Sequence, residues 1–320
     1  MCCVRKTKGL SLYPLVIAGA TATGKSAVAQ FIAEQTGAAI VSADSMLVYR
    51  GMDIGTAKPT ATERRRVRYI GLDCVAPNEA FSVGDWLECV RRGLATLPDN
   101  TPIVVAGGTG LYIKALFKGL DSAASNPEVR QHFYAVFERD GLAALQREVT
   151  ARGLDVPPGD SSNPRRLIRA LERMASGCEN ATAALPPVFK VDTADPSSPY
   201  PPIFCLNMPR DILAERIRRR IETMFAEGLV EEAARLFPRA SSTSSGAIGY
   251  AEALAFARGE LSRDEAVERI ASRTRQLAKR QYTWFRHQLP VTWVEVPHGA
   301  SAEVVAQLIL ERCPPVLLTD

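Results

Sequence analysis

The residues with the clearest chemical meaning form the segment 19–26, GATATGKS. Its spacing, G-x-x-x-x-G-K-S, is that of a phosphate-binding loop, in which backbone N–H groups and a helix N-terminus face a polyphosphate. Lys25 would add a positive charge, and the hydroxyl of Ser26 can bind Mg²⁺. The spacing predicts a nucleotide-binding or ATP-binding type of loop made of Gly19, Ala20, Thr21, Ala22, Thr23, Gly24, Lys25 and Ser26. A glycine-rich turn with an incidental lysine is the alternative.

The sequence after this loop lacks a carboxylate that phosphate-hydrolysing enzymes with the same loop usually carry. Such enzymes usually hold Mg²⁺ with an aspartate at the end of a second apolar strand. Here the matching run, TPIVVAGGTG (101–110), ends in glycines and offers only the hydroxyl of Thr109. The acid that does end an apolar run is Asp44, in AAIVSADS (38–45). Its position predicts a general base for a substrate proton; a helix N-cap or loop aspartate is the alternative.

The elements around these residues predict an α/β fold, a P-loop-containing doubly wound parallel sheet. Apolar runs at 15–18, 38–43 and 101–106 alternate with helical patterns at 25–38 and 85–97, and the loop after each strand then lies at one ligand-binding edge of the sheet. Residues 123–177 instead show three helical patterns, followed by a Pro/Ser/Ala-rich stretch, and the strand PIFCLNM (202–208) and three further helical patterns come after it.

This order predicts three segments of domain organisation. They are the first part of the core (1–122), a helical insertion (123–200), and the second part of the core with C-terminal helices (201–320).

The last long helical pattern contains the basic segment TRQLAKRQYTWFR (274–286). Helical spacing predicts a charged face of Arg275, Lys279, Tyr282 and Arg286, and a packing face of Ile270, Leu277 and Trp284. A charged face with aromatic residues suits contacts to RNA phosphates and bases. A solvated surface helix is the alternative.

Composition excludes several classes of protein. A chain of 320 residues with 46% apolar content is too hydrophobic for a disordered protein, and a net charge of +4 does not by itself indicate nucleic acid. The seven cysteines show neither CxxC pairs nor zinc-ligand spacing, so we expect reduced thiols.

The N-terminal sequence resembles a signal peptide, because basic residues precede an apolar run. Cleavage after Ala22 would divide the phosphate-binding loop, so we do not expect it. No apolar run approaches the roughly 20 residues of a spanning helix. We therefore expect a cytoplasmic monomer without a membrane anchor.

Seven segments resemble tRNA dimethylallyltransferases in order and near spacing, over nearly the whole chain. They are GATATGKS, SADSMLVYRGMDIGTAKP, GGTGLYIKAL, NPRRLIRALE, RRRIETMFAEGLVEE, GAIGYAEAL and TRQLAKRQYTWFR. The resemblance implies that the loop holds the diphosphate of dimethylallyl diphosphate with Mg²⁺. It also implies that the prenyl group passes to the exocyclic amine of an adenosine beside the anticodon, in the anticodon stem-loop of tRNA. Since no phosphorus is attacked, the missing aspartate is consistent with this family.

The resemblance also implies roles for single residues. Asp44 corresponds to the base, and Thr109, Lys25, Ser26 and Arg220 to groups around the diphosphate, so Asp44, Thr109 and Arg220 are the predicted catalytic residues. The helical insertion corresponds to a mobile tRNA-binding domain. The implied tRNA contacts are Asp44, Ser45, Met46, Leu47, Thr109, Arg130, Arg165, Arg166, Leu167, Ile168, Arg169, Gly246, Ala247, Ile248, Gly249, Tyr250, Ala251, Lys279, Arg280, Gln281, Tyr282, Thr283, Trp284, Phe285 and Arg286.

Two departures from the family pattern concern the target base. Leu47 stands where the family usually has glutamine, and RYIGLD (68–73) replaces a histidine-bearing segment. Three other functions are consistent with parts of the pattern: an adenylate isopentenyltransferase acting on a free nucleotide, a small-molecule P-loop kinase, and a non-catalytic RNA-binding protein. The helical insertion and the basic segment favour tRNA as the acceptor.

Overall fold

The structure is a computed structural model that describes residues 9–10, 14–120, 127–157, 159–175, 185–189, 200–237, 240–241, 243–313 and 318–319. The basic N-terminal residues, Cys2, Cys3 and Cys178, and most of the predicted Pro/Ser/Ala-rich stretch lie outside these ranges. Among the described residues no helix is long and apolar enough to cross a membrane.

A six-stranded sheet, all of whose neighbouring strands are parallel, forms the centre of the fold. Its strands are β2 (Leu15–Gly19), β3 (Ala39–Ser42), β4 (Tyr69–Ile70), β5 (Ile103–Gly107), β6 (Ile203–Asn207) and β7 (Val291–Glu295), in the order β4-β3-β5-β2-β6-β7. Strands β2, β3 and β5 are buried at every position. Continuous apolar runs of this kind are typical of parallel strands covered on both faces. The predicted doubly wound fold is confirmed.

Helices connect the strands and flank the sheet. They are α1 (Lys25–Thr36), α2 (Ala61–Arg66), α3 (Val83–Leu94), α4 (Gly110–Lys118), α5 (Pro127–Ala151), α6 (Pro164–Ala175), α7 (Arg210–Ala226), α8 (Leu229–Leu236), α9 (Tyr250–Ala257), α10 (Arg263–Gln288) and α11 (Ala302–Leu310). A short antiparallel pair joins β1 (Gly9–Leu10) to β8 (Leu318–Thr319). Five helices follow β6 in the described chain, where the sequence pattern predicted three, and strands β4 and β7 were not predicted.

The chain separates into two compact units, Met1–Lys118 with Val188–Asp320, and Gly119–Pro187. The first unit contains the parallel sheet. The second contains α5 and α6, and α5 is interrupted at Gly141, whose φ of 74° and ψ of −172° are not helical. Its own core consists of Phe133, Leu145, Val149, Leu167, Ile168 and Leu171.

Cysteine pairing differs from the expectation of reduced thiols. Cys74, after β4, is joined to Cys89 on α3 by a disulfide. The expectation is therefore wrong for these two residues, because spacing along the sequence does not reveal that the sheet edge places them side by side. Cys205 and Cys313 are free and buried.

Candidate active site

A cavity of about 400 Å³ lies at the carboxyl ends of β2 and β3, in the first compact unit. Predicted site residues that line it are Thr21, Ala22, Lys25, Ser26, Asp44, Ser45, Met46, Leu47, Thr109, Arg220, Gly246, Ala247, Ile248, Arg280 and Gln281. The ligand-binding edge expected of a parallel sheet is thus where these segments meet.

The phosphate-binding loop leads directly into α1. Gly24 has φ 93°, a left-handed conformation that glycine adopts without strain, and Lys25 is the first helical residue. The carbonyl oxygen of Ala20 accepts hydrogen bonds from the Thr23 hydroxyl at 2.9 Å and from Lys25 Nζ at 3.2 Å. Burial lowers the pKa of Lys25 to about 8, while the nearby Asp44 raises it and Arg220 lowers it. These bonds and the left-handed Gly24 give the loop its shape.

Arg220 extends from α7 to the same loop. Its Nη1 donates to the Thr21 hydroxyl at 3.4 Å, its Nη2 donates to the carbonyl oxygen of Thr56 at 3.1 Å, and its Nε has no partner among the described residues. Burial lowers the pKa of the guanidinium, and Asp44 opposes that shift. The buried Lys25 and the half-buried Arg220 therefore place two cations in one cavity, a costly arrangement that a bound anion would stabilise.

Asp44 is the carboxylate among the described residues that line the cavity. One of its oxygens, Oδ1, accepts the backbone N–H of Met46 at 2.9 Å. The next residue, Ser45, is held by Thr109, whose hydroxyl oxygen accepts the Ser45 N–H at 3.0 Å and lies 3.3 Å from Ser45 Oγ. Asp44 thus has the local turn of a loop aspartate and also lines the cavity, and its role as a base stays a prediction.

Gln281 on α10 joins the two glycine-rich segments. Its side-chain oxygen accepts the Thr21 N–H at 2.9 Å, and its Nε2 donates to the carbonyl oxygen of Gly108 at 2.9 Å. Three residues on, the Trp284 ring lies against Gly110, where an added Cβ would come within 2.0 Å of it. Helix α10 therefore docks on these loops through Gln281 and Trp284, and the side chain of Gln281, predicted to contact tRNA, is used inside the protein.

The predicted faces of α10 are only partly correct. Tyr282, assigned to the charged face, packs against Trp293 of β7 with ring centroids 6.0 Å apart, and Arg286 lies over the same ring. Leu277, assigned to the packing face, lines the cavity. The buried positions are Ala266, Val267, Ile270, Ala271, Ala278 and Phe285.

Other predicted tRNA-contact residues divide into surface and core. Lys279, Arg280, Thr283 and Arg286 are exposed. In contrast, the side chains of Leu167, Ile168, Tyr250 and Phe285 are at most 2% exposed. They pack in the core of their units and fix the shape of these segments instead of offering contact surface.

The arginines of the second unit are mostly paired within it. Glu172, with its side chain fully buried, binds Arg130 at 3.0 Å and Arg169 at 2.7 Å. Arg166 forms an ion pair with Asp160, and Arg165 is exposed at the start of α6. Arg130 and Arg169 therefore have a structural partner besides any RNA.

Several cavity residues were not predicted. They are Gly55, Thr56, Ala57, Ile217, Ile221, Met224, Ile270, Arg273, Thr274, Gln276 and Leu277. The helical spacing of Ile217, Ile221 and Met224 with Arg220 on α7 is a signal that could have found part of this set.

Comparison with known proteins gives a consistent result. The family profile described as IPP transferase matches residues 47–288. A protein named tRNA dimethylallyltransferase from Pelotomaculum thermopropionicum is 38% identical over 93% of this chain and 95% of its own length. One of the same name from Geobacter metallireducens is 39% identical over 88% of this chain and 92% of its own.

A solved structure gives the same result. The full-length tRNA isopentenylpyrophosphate transferase from Bacillus halodurans superposes with a TM-score of 0.60 at 31% identity, covering 94% of this chain and 97% of that one. The profile match and these relatives show that the chain belongs to the IPP transferase family of prenyl transferases.

Proposed function

We propose that the protein transfers a dimethylallyl group from dimethylallyl diphosphate to the N6 amine of the adenosine adjacent to the anticodon in tRNA. The observation that carries the proposal is the cavity itself, which combines a phosphate-binding loop and the cations of Lys25 and Arg220 with the carboxylate of Asp44. The names of the relatives support the choice of prenyl donor and of tRNA as acceptor.

The chemistry follows from the charges. The lone pair of N6 forms a bond to C1 of the donor, the C1–O bond breaks, and its electron pair leaves with the diphosphate. Loop N–H groups, Lys25 and Arg220 stabilise the charge that develops on the leaving group. Asp44 accepts the N6 proton, and Thr109, which holds the Ser45 N–H, keeps this turn in place.

A divalent cation fits this donor set, and we infer Mg²⁺. No group of three or more His, Cys, Asp or Glu side chains among the described residues could hold a metal ion by itself. Mg²⁺ characteristically takes most of its ligands from substrate phosphates and water, and the Ser26 hydroxyl at the cavity would supply one from the protein. The ion would neutralise diphosphate charge. We further propose that the protein is cytoplasmic, because its proposed acceptor is tRNA, and that it is a monomer.

The test is mass analysis of nucleosides from tRNA incubated with the protein and dimethylallyl diphosphate. Replacing Asp44 by Asn should lower turnover by about 10²–10⁴-fold, because the base is lost, while tRNA affinity stays within a few fold because the carboxylate repels phosphate. Asp99→Asn, at an exposed site, is the control. Near-normal turnover of the Asp44 variant would remove Asp44 from the mechanism.

ATP distinguishes this proposal from a hydrolytic enzyme. Since no aspartate follows β5, ATP should not be hydrolysed at an enzymatic rate, with or without tRNA. Release of phosphate from ATP that tRNA strongly stimulates would reject the prenyl-transfer proposal. Prenylation of AMP in place of tRNA would instead show that the protein is an adenylate isopentenyltransferase acting on a free nucleotide.

A further inference from the structure

Glu232 on α8 is a buried carboxylate outside the cavity, 4% exposed. Its Oε2 accepts the backbone N–H groups of Asp53 and Ile54, each at 2.9 Å. Its Oε1 accepts the N–H of Gly55 at 3.0 Å and the hydroxyl of Tyr250 at 2.7 Å. A buried carboxylate normally requires such compensation, and here all of it comes from one loop and one side chain.

The loop that Glu232 holds is part of the cavity wall. Gly55, Thr56 and Ala57 line the cavity, and the carbonyl oxygen of Thr56 accepts from Nη2 of Arg220. The loop has no helix or strand of its own to fix its shape. Local bonds make it a turn: the Ala57 N–H donates to the Ile54 carbonyl oxygen, and Lys58 pairs with the Asp53 carboxylate at 2.7 Å. The bonds from Glu232 at Asp53, Ile54 and Gly55 fix this turn, and with it the Thr56 carbonyl, to α8.

Tyr250 supports the loop from the other side. A Cβ added at Gly55 would lie 2.6 Å from Cε2 of the Tyr250 ring, so only glycine allows the ring to lie against the loop backbone. Tyr250 begins α9, three residues after Ala247, which lines the cavity. Burial and the neighbouring Glu232 raise the pKa of Tyr250, so its hydroxyl keeps the proton that it donates to Glu232.

We propose that Glu232 is a positioning residue for the diphosphate site, acting through the loop 53–57 on Arg220. The acceptor at Thr56 fixes one end of the guanidinium, while Thr21 in the phosphate-binding loop fixes the other. Displacing Thr56 would let Arg220 turn away from the leaving group. The inference rests on the proposed function only in taking a diphosphate as the ligand.

A double-mutant cycle on the complete protein tests the inference, with inorganic pyrophosphate as the probe and calorimetry as the measurement. Glu232→Gln places an NH₂ group either against the N–H groups of Asp53 and Ile54, or against the N–H of Gly55 and the Tyr250 hydroxyl. We expect it to weaken pyrophosphate binding about tenfold, as the loss of a hydrogen bond to a charged group does. In an Arg220→Ala background the same change should have no further effect, because the route through Arg220 is gone.

Two variants separate positioning from general stability. Ala233→Gly destabilises the same helix beside Glu232 without changing a hydrogen bond of the loop, and should leave the affinity for pyrophosphate within about twofold. If Glu232→Gln does not fold, Tyr250→Phe removes only the hydroxyl at Oε1 and should still weaken binding several-fold while melting within a few degrees of wild type.

The results have distinct meanings. The inference would be overturned if both the Glu232 and the Tyr250 variants bound pyrophosphate as tightly as the wild type. It would also be overturned if Glu232→Gln weakened pyrophosphate binding equally in the presence and in the absence of the Arg220 side chain, even if tRNA is prenylated normally. Failure of wild-type protein to prenylate tRNA, together with non-additive pyrophosphate binding, would reject the proposed acceptor chemistry and leave the role of Glu232 intact.

Discussion

At the scale of single residues, burial controls the charge of the diphosphate site. Burial lowers the pKa of Lys25 to about 8, and a bound anion would raise it again, because opposite charge favours the ammonium form. Above about pH 8 the free protein loses this proton and must regain it on binding. We expect pyrophosphate affinity to fall as pH rises from about 8, by at most about tenfold per pH unit.

Lys25→Arg is the control for this pH dependence, because a guanidinium stays charged throughout the range. Calorimetric binding measurements on both proteins from pH 7 to 10 would give the two affinity profiles. The protonation of pyrophosphate itself affects both profiles equally, so it cancels when they are compared. Parallel profiles would show that Lys25 keeps its proton in the free protein.

The same residue predicts a stability effect of opposite sign. The unfolded chain has a lysine of ordinary pKa, 10.5, and so binds more protons than the folded protein between about pH 8 and 10.5. Lys25 therefore makes the free protein more stable as pH rises through this window. Burial of the Lys25 ammonium therefore underlies both this stability effect and the pH dependence of anion binding.

At the scale of elements, neighbouring residues of α10 have different roles, some inside the protein and some at its surface. Gln281 faces inward and bonds Thr21 and Gly108, so Gln281→Leu would leave a backbone N–H and a carbonyl unpaired. Each unpaired group costs about 1–3 kcal/mol, and we expect a lower melting temperature together with weaker pyrophosphate binding. Thr283→Ala is the matched control, since within the described part of the chain the Thr283 hydroxyl donates to the Lys279 carbonyl of its own helix. Unchanged pyrophosphate affinity in the Leu variant would mean that the loop keeps its shape without Gln281.

Lys279 and Arg280 are exposed on the same helix. If they bind tRNA phosphates, replacing either by Ala should weaken tRNA binding and reduce the magnitude of its log–log salt slope by up to about 1, because fewer counterions are released. Pyrophosphate binding to the Lys279 variant should not change. An unchanged salt slope at unchanged affinity would leave this face as ordinary solvated surface.

The sequence determined some of these elements better than others, for physical reasons. The phosphate-binding loop and Asp44 were predictable because a local pattern marks each strand end and parallel strands bring those ends to one edge. The faces of α10 were not, because the helix packs against α7 and α9 and also against the backbone of Gly108 and Gly110, which gives no apolar signal in the sequence. Glu232 also lacks a local pattern, since its partners are about 180 residues away and are backbone N–H groups.

At the scale of the whole molecule, the cavity and the buried arginine–glutamate cluster belong to different compact units. The cavity is built within the first unit. The second unit has its own apolar core, in which Glu172 is buried between Arg130 and Arg169. A buried carboxylate with two guanidinium partners holds α5 and α6 together, so the arginines that the family resemblance assigns to tRNA also maintain the unit that carries them.

Removing this carboxylate should therefore act on one unit alone. Glu172→Gln removes the carboxylate charge that Arg130 and Arg169 share, and because both guanidiniums are partly exposed to water, the cost should be less than the about 3–5 kcal/mol of a fully buried pair. We expect hydrogen exchange of the α5 and α6 amides to accelerate strongly, while the amides of β2 and β5 exchange as in the wild type and pyrophosphate affinity stays the same.

Arg139→Ala is the matched control, because Arg139 and Asp140 form an exposed ion pair in the same unit, and such pairs contribute little to stability. Faster exchange confined to α5 and α6 in the Glu172 variant would show that the second unit opens independently of the cavity. Loss of pyrophosphate binding in the same variant would show the reverse: that the second unit must be folded for the first to hold its ligand, and that the two units are one cooperative structure in solution.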